Sequence, residues 1–356
     1  MAENQYSPKY LDNASTTPVD PRVLKEMLPY FSDFFGNASS QHEFGYKAKR
    51  AIEKSREQVA NLINCFEDEI IFTSGATESI NLALKGYVEA NAYKGNHIIT
   101  VKTEHKAVLN TCEYLETKGI EVTYLDVDKN GLIDLDELES NITKKTILIS
   151  VMWVNNETGV IQPIKRIGEI AHSNNICFFT DATQAVGKIK VDLQENLIDM
   201  LCFSGHKLNG PKGIGVLFKK PEVSLTPLIH GGGQEKGLRG GTYNSPLIVG
   251  LGKACELVND EFEENLKNLL SQANKFSDYF EDNKIGEINF KNVPTAPHIL
   301  SITLFNYEAE EFLIIKSKEF LASTGSACNA ELIEPSHVLS ELFDDPNIIV
   351  RISTTP

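Results

Sequence analysis

The sequence predicts an α/β fold, a mostly parallel seven-stranded sheet flanked by helices, followed by a smaller α+β domain. Two observations carry this. Seven short apolar runs recur between about residues 45 and 255, many of them separated by helix-period segments. Polar motifs fall just past several runs, where the carboxyl ends of parallel strands present loops to a ligand. In order, the runs are Glu69 to Thr73, His97 to Val101, Glu121 to Leu125, Thr146 to Val151, Cys177 to Thr180, Met200 to Ser204 and Gly215 to Phe218. Ser79 to Val88 reads as the helix after the first run. Residues 256–280, rich in Glu, Asn, Lys and Leu at helical spacing, read as a bridge into the smaller domain, in which Ile299 to Leu304 is a strand. No tandem repeat, low-complexity tract or flexible linker interrupts this pattern.

The bulk numbers bound the partners. A chain of 356 residues with 41% hydrophobic residues can bury one large core and a smaller one. A formal charge of -15 argues against nucleic-acid or anionic-membrane surfaces, which need clustered Lys and Arg. The segment Met1 to Gln5 lacks a basic-then-apolar signal, and no apolar run approaches a membrane span, so the expected location is cytoplasmic. Six cysteines, at 65, 112, 177, 202, 255 and 328, form no CxxC pair, which predicts neither a disulfide framework nor a zinc site. Five of them sit in or beside apolar or helical runs, where a free thiol acts as a small hydrophobe. Cys328, among the small polar residues Ser323 to Ala330, suits an accessible loop instead.

Ser204-Gly205-His206-Lys207 and the upstream Asp181-Ala182-Thr183-Gln184 supply an amine and an acid with different jobs. Pyridoxal phosphate (PLP) needs both: a lysine holds its aldehyde as a Schiff base, and an aspartate facing the pyridine nitrogen keeps it protonated, so that the ring accepts electrons. Taken alone, Lys207 also reads as a solvated surface charge and Asp181 as a strand cap, so context decides. Thr73 to Glu78 places a glycine turn at a helix start, either an ordinary capped helix or a phosphate cradle of free N–H groups; Lys207 favours the cradle. Ser204 and His206 could add phosphate hydrogen bonds, and Gln184 could reach the phenolic oxygen. His105, after the run His97 to Val101, either caps a helix or stacks on a flat ring and shuttles protons. Asn156, in Val154 to Gly159, either belongs to a plain turn or donates to cofactor or substrate.

Asp126 to Glu137 matches a calcium-binding EF-hand loop at every key position. Its left flank, Glu121 to Leu125, alternates as a strand where a helix is required, and there is no second copy. A turn before a helix at Asp136 to Ser140 is therefore expected, and no metal site.

With these residues in place, the chain resembles the PLP-dependent cysteine desulfurases of aminotransferase class V, PLP fold type I. The resemblance runs from Tyr10 to Pro18 through Gly36 to His42, Thr73 to Glu78, Thr103 to Val108, Val154 to Gly159, Asp181 to Gly187 and Ser204 to Gly215. It continues through His230 to Glu235, Arg239 to Thr242, Gly325 to Cys328, Glu334 to Leu339 and Val350 to Ser353. It implies that Lys207 carries the cofactor, Asp181 pairs with its ring nitrogen and His105 stacks on it. Ala76, Thr77, Ser204 and His206 would hold the phosphate, Gln184 and Asn156 the ring substituents, and Arg351 with Asn156 the substrate carboxylate. Thr242 would reach the phosphate in a neighbouring subunit, which implies a homodimer with shared active sites. The implied reaction converts L-cysteine to L-alanine, with the sulfur captured as a persulfide on Cys328. The five residues between Cys328 and Glu334 resemble the long cysteine loop of desulfurases that pass sulfur to acceptor proteins for iron-sulfur cluster assembly or RNA and DNA modification.

The same resemblance implies three parts: residues 1–15 as a segment associated with the small domain, 16–255 as the large PLP-binding domain, and 256–356 as the small domain. The family continues past Arg351 into further helices, so that domain is expected to be shortened at its end. Two alternatives remain at this stage: a selenocysteine lyase or other β-eliminating PLP enzyme, and a scaffold that keeps the fold without turnover.

Overall fold

Strands that are largely apolar along their length must be covered on both faces, and this is how all of the central sheet except the edge strand Glu121–Leu125 sits. The computed structural model describes residues 8–324 and 336–356. Its strands are β1 (Lys9–Tyr10), β2 (Ile70–Thr73), β3 (His97–Val101), β4 (Glu121–Leu125), β5 (Thr146–Ser150), β6 (Cys177–Asp181), β7 (Met200–Ser204), β8 (Gly215–Lys219), β9 (Gly286–Ile288), β10 (Ile299–Leu304), β11 (Phe320–Leu321) and β12 (Ile349–Ser353). The helices are α1 (Pro21–Met27), α2 (Pro29–Ser32), α3 (Glu43–Ile63), α4 (Ala76–Asn81), α5 (Tyr87–Ala90), α6 (Lys106–Glu116), α7 (Leu135–Ser140), α8 (Ile164–Ser173), α9 (Ser245–Asp260), α10 (Phe262–Asp282), α11 (Ala309–Lys316) and α12 (His337–Leu342). A π-helical stretch, Leu82–Gly86, joins α4 to α5. No helix among the described residues is long and apolar enough to cross a membrane.

The seven-stranded sheet runs β2-β8-β7-β6-β5-β3-β4, and all seven expected runs are in it. Pairs from β4 through β7 are parallel; β8 is antiparallel to β2 and β7. Alternate residues of each strand feed two cores. Phe72, Ile99, Ile149, Phe178, Leu201 and Val216 face one core, with α3, α8 and α9 covering it. Their neighbours Ile71, Ile98, Leu148, Phe179, Met200 and Leu217 face the other, under α4, the π-helical stretch, α5 and α6. α9 lies so close to α3 that a Cβ at Gly252 would come within 2.6 Å of Ser55, so only glycine fits there.

A smaller α+β unit follows. β12-β10-β9 form a three-stranded antiparallel sheet, and β1 pairs in parallel with β11. Its core contains Leu11, Phe280, Ile302, Phe312 and Ile352, so the start of the described chain packs into it. The helical run expected over 256–280 is in fact the end of α9 and most of α10, broken at Glu261. The break lets apolar α9 pack on the sheet while α10 turns its Phe280 toward the smaller core. At the break, the Glu261 carboxylate accepts from the Arg22 guanidinium.

The calcium-like loop folds as expected of a turn. β4 precedes it, and the Asp128 carboxylate accepts from the N–H groups of Asn130 and Leu132 at 2.8 and 2.9 Å. Asp134 caps α7 and Asp126 pairs with Lys102, so these carboxylates serve local structure.

One buried ion pair ties the glycine-rich segment 231–241 to the sheet. The Arg56 guanidinium, 4.6 Å above the Phe72 ring, donates to both Glu235 carboxylate oxygens at 3.0 and 2.7 Å and to the Ile70 carbonyl. Glu235 also accepts from Phe72 N–H at 2.9 Å, and it holds a left-handed backbone, φ 45°, that costs a non-glycine residue energy. Breaking such a pair strands a buried charge. Arg56→Met is expected to lower the unfolding free energy by about 3–5 kcal/mol, as read from urea denaturation.

Candidate active site

Parallel strands end at one edge, so the residues that follow β3, β5, β6 and β7 meet there with the turn after β2. A cavity of about 520 Å³ opens at that edge. Its lining includes Ser74 to Glu78, His105, Asn156, Asp181, Gln184, Ser204, His206, Lys207 and Arg351, which the sequence singled out. Thr242 is exposed and not part of this chain's cavity, and Cys328 lies outside the described residues.

The turn after β2 reaches Ala76 through Gly75, at φ 154°, a conformation that glycine tolerates. A Cβ on Gly215 would lie 2.6 Å from the Gly75 Cα, so both positions need glycine for the turn to seat against β8. The N–H groups opening α4 thereby face the cavity beside Ser204 and His206. The His206 Nδ1 pairs with Thr16 Oγ1 at 3.0 Å. Burial, then the charges of Lys207 and Lys212, push the ring down to about 4, so near neutral pH His206 is a neutral group.

Lys207 follows β7 through one 3-10 turn, and its Nζ donates to the Ala14 and Ser15 carbonyls at 2.5 and 2.7 Å. Asp181 ends β6 and is buried; one carboxylate oxygen accepts from Thr183 N–H at 2.9 Å. His105 caps α6, its Nδ1 accepting from Ala107 N–H at 3.1 Å. Burial lowers its pKa against the opposing pull of Asp181, while Lys207 adds to the lowering. His105 therefore serves as a helix cap and also shows the cavity an uncharged ring.

The Arg351 guanidinium is already held: Nη1 donates to the Asn156 carbonyl at 2.9 Å, and Nη2 to Asp12 at 2.6 Å and Ser15 Oγ at 2.8 Å. Asn156 thus meets Arg351 through its backbone. The Asn155 side chain braces this turn, donating to Thr103 O and accepting from the Glu157 and Thr158 N–H groups.

Several neighbours escaped the sequence reading. His337 opens α12, donates through Nε2 to the Glu104 carbonyl at 2.9 Å, and lines the cavity. Its place in the motif Glu334 to Leu339 was the available signal. Glu157 accepts from Ser336 Oγ at 2.5 Å, which ties the cavity wall to the start of α12. Glu104, fully buried behind His105, accepts from Met152 N–H at 2.5 Å. Burial, then the nearby Asp181, raises its pKa well above the carboxylate range, so it stays protonated.

These residues fit PLP. His337 and Arg351 line the cavity, and His337 Nδ1 and Arg351 Nε have no hydrogen-bond partner among the described residues. The helix-start N–H groups suit a phosphate, Asp181 a ring nitrogen, and Lys207 an aldehyde.

Known proteins agree. The family model described as aminotransferase class-V matches residues 9–355. A protein named cysteine desulfurase IscS from Ehrlichia chaffeensis is 48% identical over 351 residues, covering 94% of this chain and 82% of the relative. A solved NifS-like protein superposes with a TM-score of 0.90 at 37% identity, covering 98% of this chain and 94% of its own. A structure described as SspA in complex with cysteine gives 0.89 at 41%, covering 98% and 99%.

Glu104 yields a pH test. Between its ordinary range near 4.5 and its raised value, the folded state keeps a proton that the unfolded chain has released, so stability falls as pH rises through that window. Glu104→Gln removes this loss. The variant's unfolding free energy relative to wild type is expected to rise from about pH 5 to about pH 8, measured by urea titration at matched cofactor loading.

Proposed function

Because the chain belongs to the class-V aminotransferase family, as one of its PLP-dependent cysteine desulfurases, we propose the following division of labour for converting cysteine to alanine and a persulfide. The observation that carries it is that Lys207, Asp181, His105, Gln184 and the Ser74–Thr77 turn all line one cavity. Bound PLP supplies an electrophilic aldehyde and a ring that accepts electrons from a substrate carbon.

The protein's part is to place charge and protons. Lys207 Nζ is the covalent anchor and, once freed by the substrate amine, takes the proton from the substrate Cα. Its two carbonyl partners keep the amine at the mouth of the N-terminal strand-turn while it waits. Asp181, buried and braced by Thr183 N–H, keeps the ring nitrogen protonated. His105 would offer the ring an uncharged face, and its neutral form can carry a proton. Ala76, Thr77, Ser204 and His206 hold the phosphate, with Gln184 and Asn156 at the ring substituents.

Arg351 binds the substrate carboxylate. Its tether to Asp12 and Ser15 fixes the guanidinium before substrate arrives, and Asp12 limits the net positive charge it shows. Cys328, as thiolate, attacks the substrate sulfur; the C–S bond breaks with its electron pair left on the substrate, and protonation at Cβ together with return of the Cα proton from Lys207 gives alanine. The outer sulfur of the Cys328 persulfide then passes to a sulfur-acceptor protein of iron-sulfur assembly or of RNA or DNA modification, in the cytoplasm. Thr242, exposed on the segment anchored by Arg56 and Glu235, completes the phosphate site of a second subunit in a homodimer with shared active sites. Residues 256–356 with 1–15 act as the small domain against the large domain of 16–255.

Cys328→Ser separates this route from simple β-elimination. Alanine release from cysteine is expected to fall on the order of a hundredfold or more in the loaded variant, because no sulfur acceptor remains. Retained alanine production would contradict the role given to Cys328.

A further inference from the structure

The Gln184 carboxamide is held from both ends. Its oxygen accepts from His298 Nε2 at 3.1 Å, and its nitrogen donates one hydrogen to the Ala14 carbonyl at 2.9 Å. That carbonyl also takes a hydrogen from Lys207 Nζ. An amide nitrogen carries two hydrogens, so one remains, and Gln184 lines the cavity. Turning the amide over would set its oxygen against the Ala14 carbonyl oxygen and remove the acceptor from His298.

His298 is well placed to enforce this choice. It is 2% exposed, and its own carbonyl accepts from Thr354 N–H at 2.9 Å, which fixes it at the entry to β10. Burial, and then the positive charges of Lys188, Arg351 and Lys207, keep the ring neutral. A neutral imidazole has one N–H. With Nδ1 buried and without a partner among the described residues, the proton belongs on Nε2, facing Gln184.

We infer that His298 is a positioning residue: it locks the Gln184 amide so that the cavity offers the cofactor's phenolic oxygen a hydrogen-bond donor and never an acceptor. This rests on the reading of the cavity as the PLP site with Gln184 at the ring substituents. The donor favours the anionic oxygen, and with it the release of the proton shared between that oxygen and the lysine-bound nitrogen.

The test is the pH dependence of the visible absorbance of the PLP-loaded protein, recorded for wild type, Gln184→Leu, His298→Leu and His298→Gln. Both leucine variants are expected to raise the midpoint by about one pH unit, the effect of losing one charge-assisted hydrogen bond. His298→Gln, whose amide can still donate, is expected to return it toward wild type. A midpoint that moves in Gln184→Leu but not in His298→Leu overturns the inference, as does one that moves in neither. Absence of any visible band in the loaded wild type sinks the reading of the cavity itself. If His298→Leu does not fold, 15N spectra of histidine-labelled wild type decide: a proton on Nε2 of His298 is expected, and one on Nδ1 refutes the assignment.

Discussion

The active cavity depends on the parallel register of β3, β5, β6 and β7. Because these strands point the same way, His105, the 152–156 turn, Asp181 and the Lys207 turn emerge at one edge, though they are far apart in sequence. β8, running the other way, brings Gly215 to the same edge, where it seats the glycine turn after β2. A shift in the register of β6 against β7 would separate Asp181 from Lys207.

Burial then sorts the ionisable groups around the cavity. His105, His206 and His298 are driven neutral, and Glu104 is kept protonated. Much of the polar lining therefore acts through hydrogen bonds and orientation. Three of the ionisable side chains are held by specific partners: Asp181 by Thr183, Lys207 by two carbonyls, and Arg351 by Asp12, Ser15 and Asn156. Such bracing allows a site to be set before its ligands arrive. Asp12, Ala14 and Ser15 supply four of these contacts, which joins the start of the described chain to the cavity.

Sequence reasoning succeeded where the physical signal is local. Six of the seven strands are buried along most of their length and read as near-continuous apolar runs, while β4, only partly buried, read by its alternation. The loops that follow them drew notice because Lys207, Asp181 and the glycine turn stand together at strand ends, although each by itself also has a structural reading. The calcium-like loop was separable from a real one because its flank alternates as β4. The helix break at Glu261 was not legible, since residues 256–280 keep helical spacing across it and the cause is packing against two different cores. The short strands β1, β9 and β11 left too few residues for a period. Asp12, Glu104 and His298 were missed for a different reason. They act through partners distant in the chain, as with His298 and Gln184, 114 residues apart, or Asp12 and Arg351, 339 apart, and no local pattern encodes such contacts.

Three lysines line the cavity, Lys106, Lys207 and Lys212, and the account stands on the second alone carrying the cofactor. Borohydride reduction of the PLP-loaded protein, followed by peptide mapping, tests this directly. The account predicts one reduced pyridoxyl group per chain, on the peptide containing Lys207. A label on Lys106 or Lys212, with Lys207 unmodified, would contradict it.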